Sequence, residues 1–362
     1  MHTSRLRRGA GPAITGAVAA AATVLLSSLV SPVVAGSTPA IPAAPPSTGS
    51  TIEQAGGSTQ TLGQNIAGQI SGEGLGPSVY AGTGTGPARY VALGDSYAAV
   101  GRVAPGSWGA GPVACVRTDD AYPTVVAREL GVGTFINASC GGATADDFLE
   151  PARNGAPPQL DTLDARTDLV TMTIGGNDVG FAAVIVACAL RPNTAPELLP
   201  MVDSVTARLA EGFDATAGCS DVIDRQATRA LEELDGRMDS VYAEIARRSP
   251  DARVVTVGYL SAIPDDRTLL ASPDCAPFIA IPEAERDKVR GFQESINRVV
   301  RDGAQRNGAT VVIPDEPGHS MCTPPETRWV DFTGLQTSSV PVHPTSAGHA
   351  HVAGRVLSAL SG

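Results

Sequence analysis

Past residue 89, two hydrophobic periodicities alternate along the chain. Short apolar runs with β-branched or aromatic residues occupy Arg89–Leu93, Thr134–Ala138, Asp168–Ile174, Ala252–Val257 and Ala309–Ile313. Their length and lack of polar alternation predict strands buried on both faces. Between them, apolar residues recur every three or four positions. One stripe is Ala227, Leu231, Leu234, Met238, Val241 and Ile245; others are Val289, Phe292, Ile296 and Val299, and Val352, Val356 and Leu360. These are core faces of amphipathic helices, with Ser249-Pro250 and Gly308 as stops. Apolar strands separated by helices predict an α/β fold with a parallel sheet covered on both faces. In such sheets ligands meet the carboxyl ends of the strands, so the residues just past each strand are candidates for chemistry.

The first 88 residues have a different texture. Arg5, Arg7 and Arg8 precede an apolar run from Ala13 to Val30, and Val33-Val34-Ala35 follows at a plausible cleavage point. That order predicts a secretory signal peptide over residues 1–35. The alternative is an uncleaved anchor, since Gly11–Ala35 is nearly long enough to span a bilayer. No cysteine precedes Cys115, which argues against a lipid-modified N-terminal cysteine. Residues 36–88 are built mainly from Gly, Ser, Thr, Pro and Ala, with Glu53 and Glu73 the only charges. Such a stretch buries too little apolar surface to offset its ordering entropy, so a flexible linker is expected there, with an end-to-end distance of about 40 Å. It would either hold the folded part, residues 89–362, away from the cell envelope or serve as a passive leader.

Charge narrows the partners. The formal charge of −11 becomes −14 without the three arginines of residues 1–35, and Lys288 is the single lysine. So acidic a surface repels nucleic acid and anionic headgroups, and no nucleic-acid partner is expected. Six cysteines, Cys115, Cys140, Cys188, Cys219, Cys275 and Cys322, contain no C-x-x-C pair. A zinc site is not expected; in an exported chain an even number reads as three disulfides. Fifteen pairings are open. Sequential pairing is preferred; each bridge would then stabilise by roughly 3–4 kcal/mol on the chain-entropy model.

Four segments carry candidate chemistry. Gly94-Asp95-Ser96 follows the first strand, exposing a serine hydroxyl near backbone N–H groups. The second strand runs into Cys140-Gly141-Gly142, where paired glycines let the backbone approach a ligand. The third runs into Gly175-Gly176-Asn177-Asp178, whose Asn side chain is a potential oxyanion donor. His343-Pro344 precedes the last helix; His319 is the other histidine expected in a loop, with His349 and His351 inside that helix. Taken singly, each segment is ordinary turn chemistry. No G-x-S-x-G elbow, H-E-x-x-H or Walker A loop occurs.

Together, and in this order, the Ser96, Gly142, Asn177 and His343 blocks resemble those of the GDSL/SGNH hydrolases, over about Arg89 to Gly362. The likeness is greatest to the secreted bacterial esterase/lipase branch with three disulfides, in which pairing is sequential. The resemblance implies a flavodoxin-like three-layer α/β/α sandwich and metal- and cofactor-free hydrolysis of small-molecule or lipid esters by a monomer. It implies Ser96 as nucleophile, His343 as base, and Ser96, Gly142 and Asn177 as the oxyanion hole. If Cys140 is bridged, it would pin the chain beside Gly142.

One departure matters. Many members carry an Asp three residues before the catalytic His, where this chain has Val340. Either the Val340 carbonyl orients the imidazole, which the short spacing favours, or Asp331 folds back to it. Carbohydrate O-deacetylation, acyl transfer, or a binding module that has lost turnover remain as alternative readings. Acyl preference would be set by loops such as Gly101–Thr118, with Trp108, and Cys188–Cys219.

Overall fold

A computed structural model describes residues 59–61, 74–104, 115–181, 219–265 and 281–362, with residues 184, 185, 188 and 275 besides. The predicted signal segment, most of the linker, Trp108 and most of the Cys188–Cys219 loop lie outside the described residues. Among the described residues, no helix is long and apolar enough to cross a membrane.

Seven strands form the main sheet: β1 (Thr59–Thr61), β2 (Ser78–Ala81), β3 (Arg89–Gly94), β4 (Thr134–Asn137), β5 (Leu169–Thr173), β6 (Arg253–Val257) and β7 (Thr310–Val312). Their spatial order is β1-β2-β4-β3-β5-β6-β7, parallel throughout except for the antiparallel β2–β4 pair. From β3 to β7 the order is the doubly wound 2-1-3-4-5 arrangement, and it reverses between β3 and β5. All five residues of β5 are buried, as the unbroken apolar run required.

Right-handed crossovers put the helices on opposite faces, because the chain leaves β3 in one direction and β5 in the other. Tyr122–Leu130 (α2) packs with the C-terminal Ser346–Ser361 (α6), and Thr228–Arg248 (α4) packs with Glu283–Arg306 (α5). A four-residue turn of helix, Ser96–Ala99 (α1), follows β3 directly. The predicted stripes of α4, α5 and α6 are those that face the core: Leu234, Met238, Val241 and Ile245; Val289, Phe292 and Ile296; Val352 and Val356. Buried phenols are satisfied by threonines of the sheet: Tyr90 Oη lies 2.7 Å from Thr171 Oγ1 and Tyr122 Oη 2.9 Å from Thr173 Oγ1.

The disulfides are Cys115–Cys140, Cys188–Cys219 and Cys275–Cys322, the sequential pairing.

The boundary at residue 89 needs correction. The sheet takes in β2, and the Tyr80 ring stacks on Phe135 at 5.6 Å in the core. A four-residue strand set among glycines and threonines has too short a pattern to stand out from a linker. The buried Arg117 holds this segment, donating to Gly76 O at 2.8 Å and lying 3.3 Å from Ser78 Oγ, while its Nε donates to Ser139 O at 2.8 Å.

Two outcomes are expected. A chain of residues 89–362 loses β2, and burial of Tyr80 alone is worth about 2 kcal/mol. It should therefore unfold at lower urea than residues 36–362; coincident curves would mean β2 adds nothing. The second concerns His349, whose Nε2–H donates to Val100 O at 2.9 Å while Nδ1 accepts the Tyr122 N–H at 3.1 Å. Burial holds this imidazole below its usual value, so it is neutral in the fold but protonates in the unfolded chain. Its contribution is complete above about pH 6.5 and is lost as pH falls through the lower folded value. Glutamine can supply the same acceptor and donor without titrating. His349→Gln should thus show a shallower loss of stability between pH 7 and 5 than the parent, measured by urea unfolding at each pH.

Candidate active site

The point where the strand order reverses opens a crevice at the carboxyl ends of β3 and β5, with the end of β4 beside it. Three of the four candidate segments leave the sheet there. Gly94 closes β3 with φ +145, and a Cβ at that position would meet Thr173 O at 2.6 Å, so only glycine allows β3 and β5 to approach this closely. Gln159 brackets Gly94, accepting its N–H at 2.7 Å and donating to its carbonyl at 2.9 Å. The Cys140 N–H donates to the same carbonyl at 2.9 Å, which ties the Gly142 loop to the serine turn.

Asp95 caps α1. Its side chain accepts the Tyr97 N–H at 2.8 Å, and its carbonyl accepts from Ala98 and Ala99 at 3.1 Å. The Ser96 N–H therefore has no acceptor among the described residues. The Asp95 carboxylate is 1% exposed, and burial pushes it up to about 7, against the pull of the Tyr259 hydroxyl and the Tyr97 N–H.

His343 reaches the serine from the opposite side. A second, two-stranded ribbon of Val330–Asp331 (β8) and His343–Pro344 (β9) carries it, directly before α6. Its Nε2 lies 2.7 Å from Ser96 Oγ and its Nδ1 2.7 Å from the Pro341 carbonyl. The carbonyl can only accept, so Nδ1 carries the proton and Nε2 offers its lone pair to the serine hydroxyl. Burial pushes the imidazole down to about 4, only partly offset by that carbonyl; it is neutral at pH 7.

This geometry corrects the expected orienting group. The Val340 carbonyl is engaged by the His343 backbone N–H at 3.1 Å, and the imidazole bonds one residue further on, at Pro341. The shift follows from the backbone. Val342 sits at φ 62, a left-handed turn that swings the ring over the Pro341 carbonyl. For a β-branched residue this conformation costs about 1–3 kcal/mol. Tyr97 Oη donates to Val342 O at 2.6 Å and holds the turn. Asp331 does not turn to His343 either: its carboxylate accepts from Thr337 Oγ1 at 2.8 Å and the Thr333 N–H at 3.1 Å, and pairs with Arg328 at 3.4 Å.

Gly142 and Asn177 flank the serine turn from its two neighbouring strands. Gly142 has φ +81, and a Cβ there would meet no heavy atom within 4 Å, so its backbone faces open space. Asn177 Nδ2 donates one hydrogen to Ala143 O at 3.0 Å, which fixes the amide and leaves its second hydrogen free to meet a ligand. The neighbouring Asp178 side chain is fully buried, receives the Ala145 N–H at 3.1 Å and pairs with Arg237 at 3.4 Å. Burial raises it to about 6. Cys140 is bridged two residues before Gly142, as expected. His319 lies elsewhere, stacked on Trp329 with ring centroids 3.7 Å apart. Tyr97, Tyr259, Asp178 and Pro341 were not singled out by the sequence as contributing, although Tyr97 directly follows Ser96 and Asp178 directly follows Asn177 in their blocks.

Comparisons with known proteins show the family of the chain. Residues 92–351 match the GDSL-like lipase/acylhydrolase family. The chain is 34% identical over 282 residues to Lipase 2 of Streptomyces coelicolor, covering 75% of this chain and 85% of that protein. Among solved structures it is similar to phospholipase A1 of Streptomyces albidoflavus NA297, with TM-score 0.53 and 29% identity over 78% of this chain and 98% of that one. It is also similar to an extracellular lipase of Streptomyces rimosus, with TM-score 0.54 and 28% identity over 75% and 99%.

Asp331→Asn separates the two orienting groups. Removing a triad carboxylate in this way lowers kcat by roughly 10⁴-fold. Here kcat on a soluble ester should stay within about threefold, because the Pro341 carbonyl is untouched. Stability should fall instead, by roughly 3 kcal/mol, as the buried Arg328 loses the opposite charge of Asp331. A loss of kcat near 10⁴-fold in folded protein would restore Asp331 as the orienting residue.

Proposed function

The chain belongs to the GDSL-like lipase/acylhydrolase family and is a carboxylester hydrolase; from that premise we propose that Ser96 is its nucleophile and His343 its general base, acting as a dyad on lipid esters outside the cell. The observation that carries this is the 2.7 Å contact between Ser96 Oγ and His343 Nε2, with the Nδ1 proton held by a backbone carbonyl. A neutral imidazole so placed takes the serine proton as the hydroxyl attacks the ester carbonyl. The leaving alcohol then departs with that proton, and an acyl-enzyme remains. Water enters and gives its proton to His343 as it attacks the acyl carbonyl; His343 returns that proton to Ser96 Oγ as the acid is released. The Pro341 carbonyl fixes the tautomer throughout but stabilises the transient imidazolium less than a carboxylate would.

Charge on the tetrahedral oxygen falls to three donors: the Ser96 N–H, the Gly142 N–H and the free hydrogen of the Asn177 amide. They come from three adjacent strand ends, and two are backbone groups that need no reorganisation as charge develops. Lipid esters are preferred over carbohydrate acetates because the relatives named above are lipases and a phospholipase A1. Export is supported by the leader composition, by three disulfides and by the extracellular relative. We take the enzyme to act as a monomer, with residues 36–58 available to hold it near the envelope.

Residues 36–362 should hydrolyse p-nitrophenyl esters from acetyl to palmitoyl, and a fluorophosphonate should label Ser96 stoichiometrically. Ser96→Ala should lose roughly 10⁴–10⁶-fold in kcat and all labelling. Activity retained in that variant would remove Ser96 from the mechanism. An optimum at acetyl, with no turnover of long chains, would remove the lipid-ester assignment.

A further inference from the structure

The fourth parallel strand also ends at the crevice. Just past β6 comes Gly258-Tyr259, and the Tyr259 ring is 2% exposed. Its hydroxyl does two things at once. It donates to Asp95 Oδ2 at 2.6 Å and accepts the Gly176 N–H at 2.7 Å. Gly176 immediately precedes Asn177, and Asp95 immediately precedes Ser96. A single phenol thus joins the turn that carries the nucleophile to the turn that carries the oxyanion amide.

The phenol is itself held in place. Asn297 of α5 accepts the Tyr259 N–H at 2.8 Å and donates to the Tyr259 carbonyl at 2.9 Å. The Tyr97 ring meets it edge-on at 5.0 Å, and the same Tyr97 lies 5.2 Å from the His343 ring. A Cβ on Gly176 would come within 3.1 Å of the Tyr259 ring, so glycine and phenol fit closely there. Among uncharged side chains of this size, only a phenol offers both a donor for the carboxylate and an acceptor for the amide.

We propose that Tyr259 is a positioning residue for the esterase reaction, its hydroxyl locking Gly176-Asn177 to Asp95-Ser96 so that the oxyanion donors keep their distance from the nucleophile. This rests on the assignment of Ser96 and Asn177 given above. Without the hydroxyl, the Gly176 N–H and the buried Asp95 carboxylate both lose a partner and must find others. The two turns then relax relative to each other. Displacements of the order of 1 Å at an oxyanion site cost up to about a hundredfold in rate. Substrate binding, which does not use the developing charge, is left largely as it was.

The test is Tyr259→Phe in residues 36–362, normalised to active sites titrated with fluorophosphonate. We expect kcat for p-nitrophenyl butyrate to fall roughly ten- to a hundredfold, with KM within about twofold. Affinity for a phenylboronic acid, which places a tetrahedral oxygen in the oxyanion site, should fall in parallel. A purely structural role would lower the melting temperature and leave kcat per titrated site and boronate affinity unchanged, and that result would overturn the proposal. So would a rise in KM alone. Should the phenylalanine variant not accumulate folded, 3,5-difluorotyrosine at position 259 keeps the packing but weakens the oxygen as an acceptor. A drop of a few-fold in kcat at constant KM is then expected, and an unchanged kcat overturns the proposal. Ser96→Ala measured alongside keeps the two levels apart. If it stays active, the nucleophile assignment fails; if it is dead while Tyr259→Phe turns over normally, only the role of Tyr259 fails.

Discussion

A carboxyl group buried beside the proposed nucleophile sets the terms for everything around it. Asp95 is 1% exposed, and an ionised carboxyl taken out of water must be hydrogen-bonded or it protonates. Its partners are the Tyr97 N–H, which starts α1, and the Tyr259 hydroxyl, which arrives from β6. The first aims the helix turn that exposes Ser96. The second recruits the Gly176 N–H, so the strand end that carries Asn177 is fixed to the same group. One buried carboxyl group therefore couples three strand ends, which β-sheet hydrogen bonding alone would leave free to shift once the strands stop.

The base is arranged on a different principle. Among the described residues no charged group bonds the proposed base, His343: a neutral carbonyl holds Nδ1, and burial pulls the ring down to about 4. The ring is thereby neutral at pH 7, at the expense of weaker support for the imidazolium in the transition state. Reaching the carbonyl requires Val342 at φ 62, a conformation that persists only if its surroundings over-determine it. The Tyr97 hydroxyl on Val342 O and the Val342 N–H on Asp331 O, at 2.6 and 2.7 Å, supply that. Asp331 thus serves the base through its backbone, while its carboxylate neutralises the buried Arg328.

How much of this was legible follows from which signals are local. The buried strands and the stripes on α4, α5 and α6 repeat at short range, so periodicity found them within a residue or two. The Ser96, Gly142, Asn177 and His343 blocks each stand just past a strand or before a helix, and their order identified them. The orienting carbonyl was misplaced by one residue because a valine at positive φ is against the odds, and spacing cannot reveal it. Tyr259 was within reach: it lies just past a predicted strand, as do Ser96, Gly142 and Asn177. No motif marks it, and its role rests on pairings 164 and 83 residues away in sequence. Strand β2 was missed for the opposite reason, since four residues in a Gly- and Thr-rich stretch carry hardly any periodic signal.

That missed strand changes how the oxyanion loop is understood. The Gly142 backbone faces open space, so its position depends on what holds the chain on either side. Upstream, Cys140 is bridged to Cys115 and donates to Gly94 O, while Ser139 O accepts from Arg117. Arg117 in turn bonds Gly76 and lies near Ser78, and β2 pairs with β4, the strand that leads into the loop. Burial lowers the Arg117 guanidinium to about 10 and, among the described residues, no carboxylate bonds it. Its charge is matched by carbonyl dipoles, which work only while both segments stay in place. Downstream, Ala143 O is held by Asn177, and Ala145 N–H by Asp178. A loop pinned at both ends, with its central glycine free, presents an N–H that needs no reordering when charge develops. The disulfide and the segment before residue 89 thus brace the proposed oxyanion loop, and on that reading an oxidising environment supports its rigidity as well as the stability of the fold.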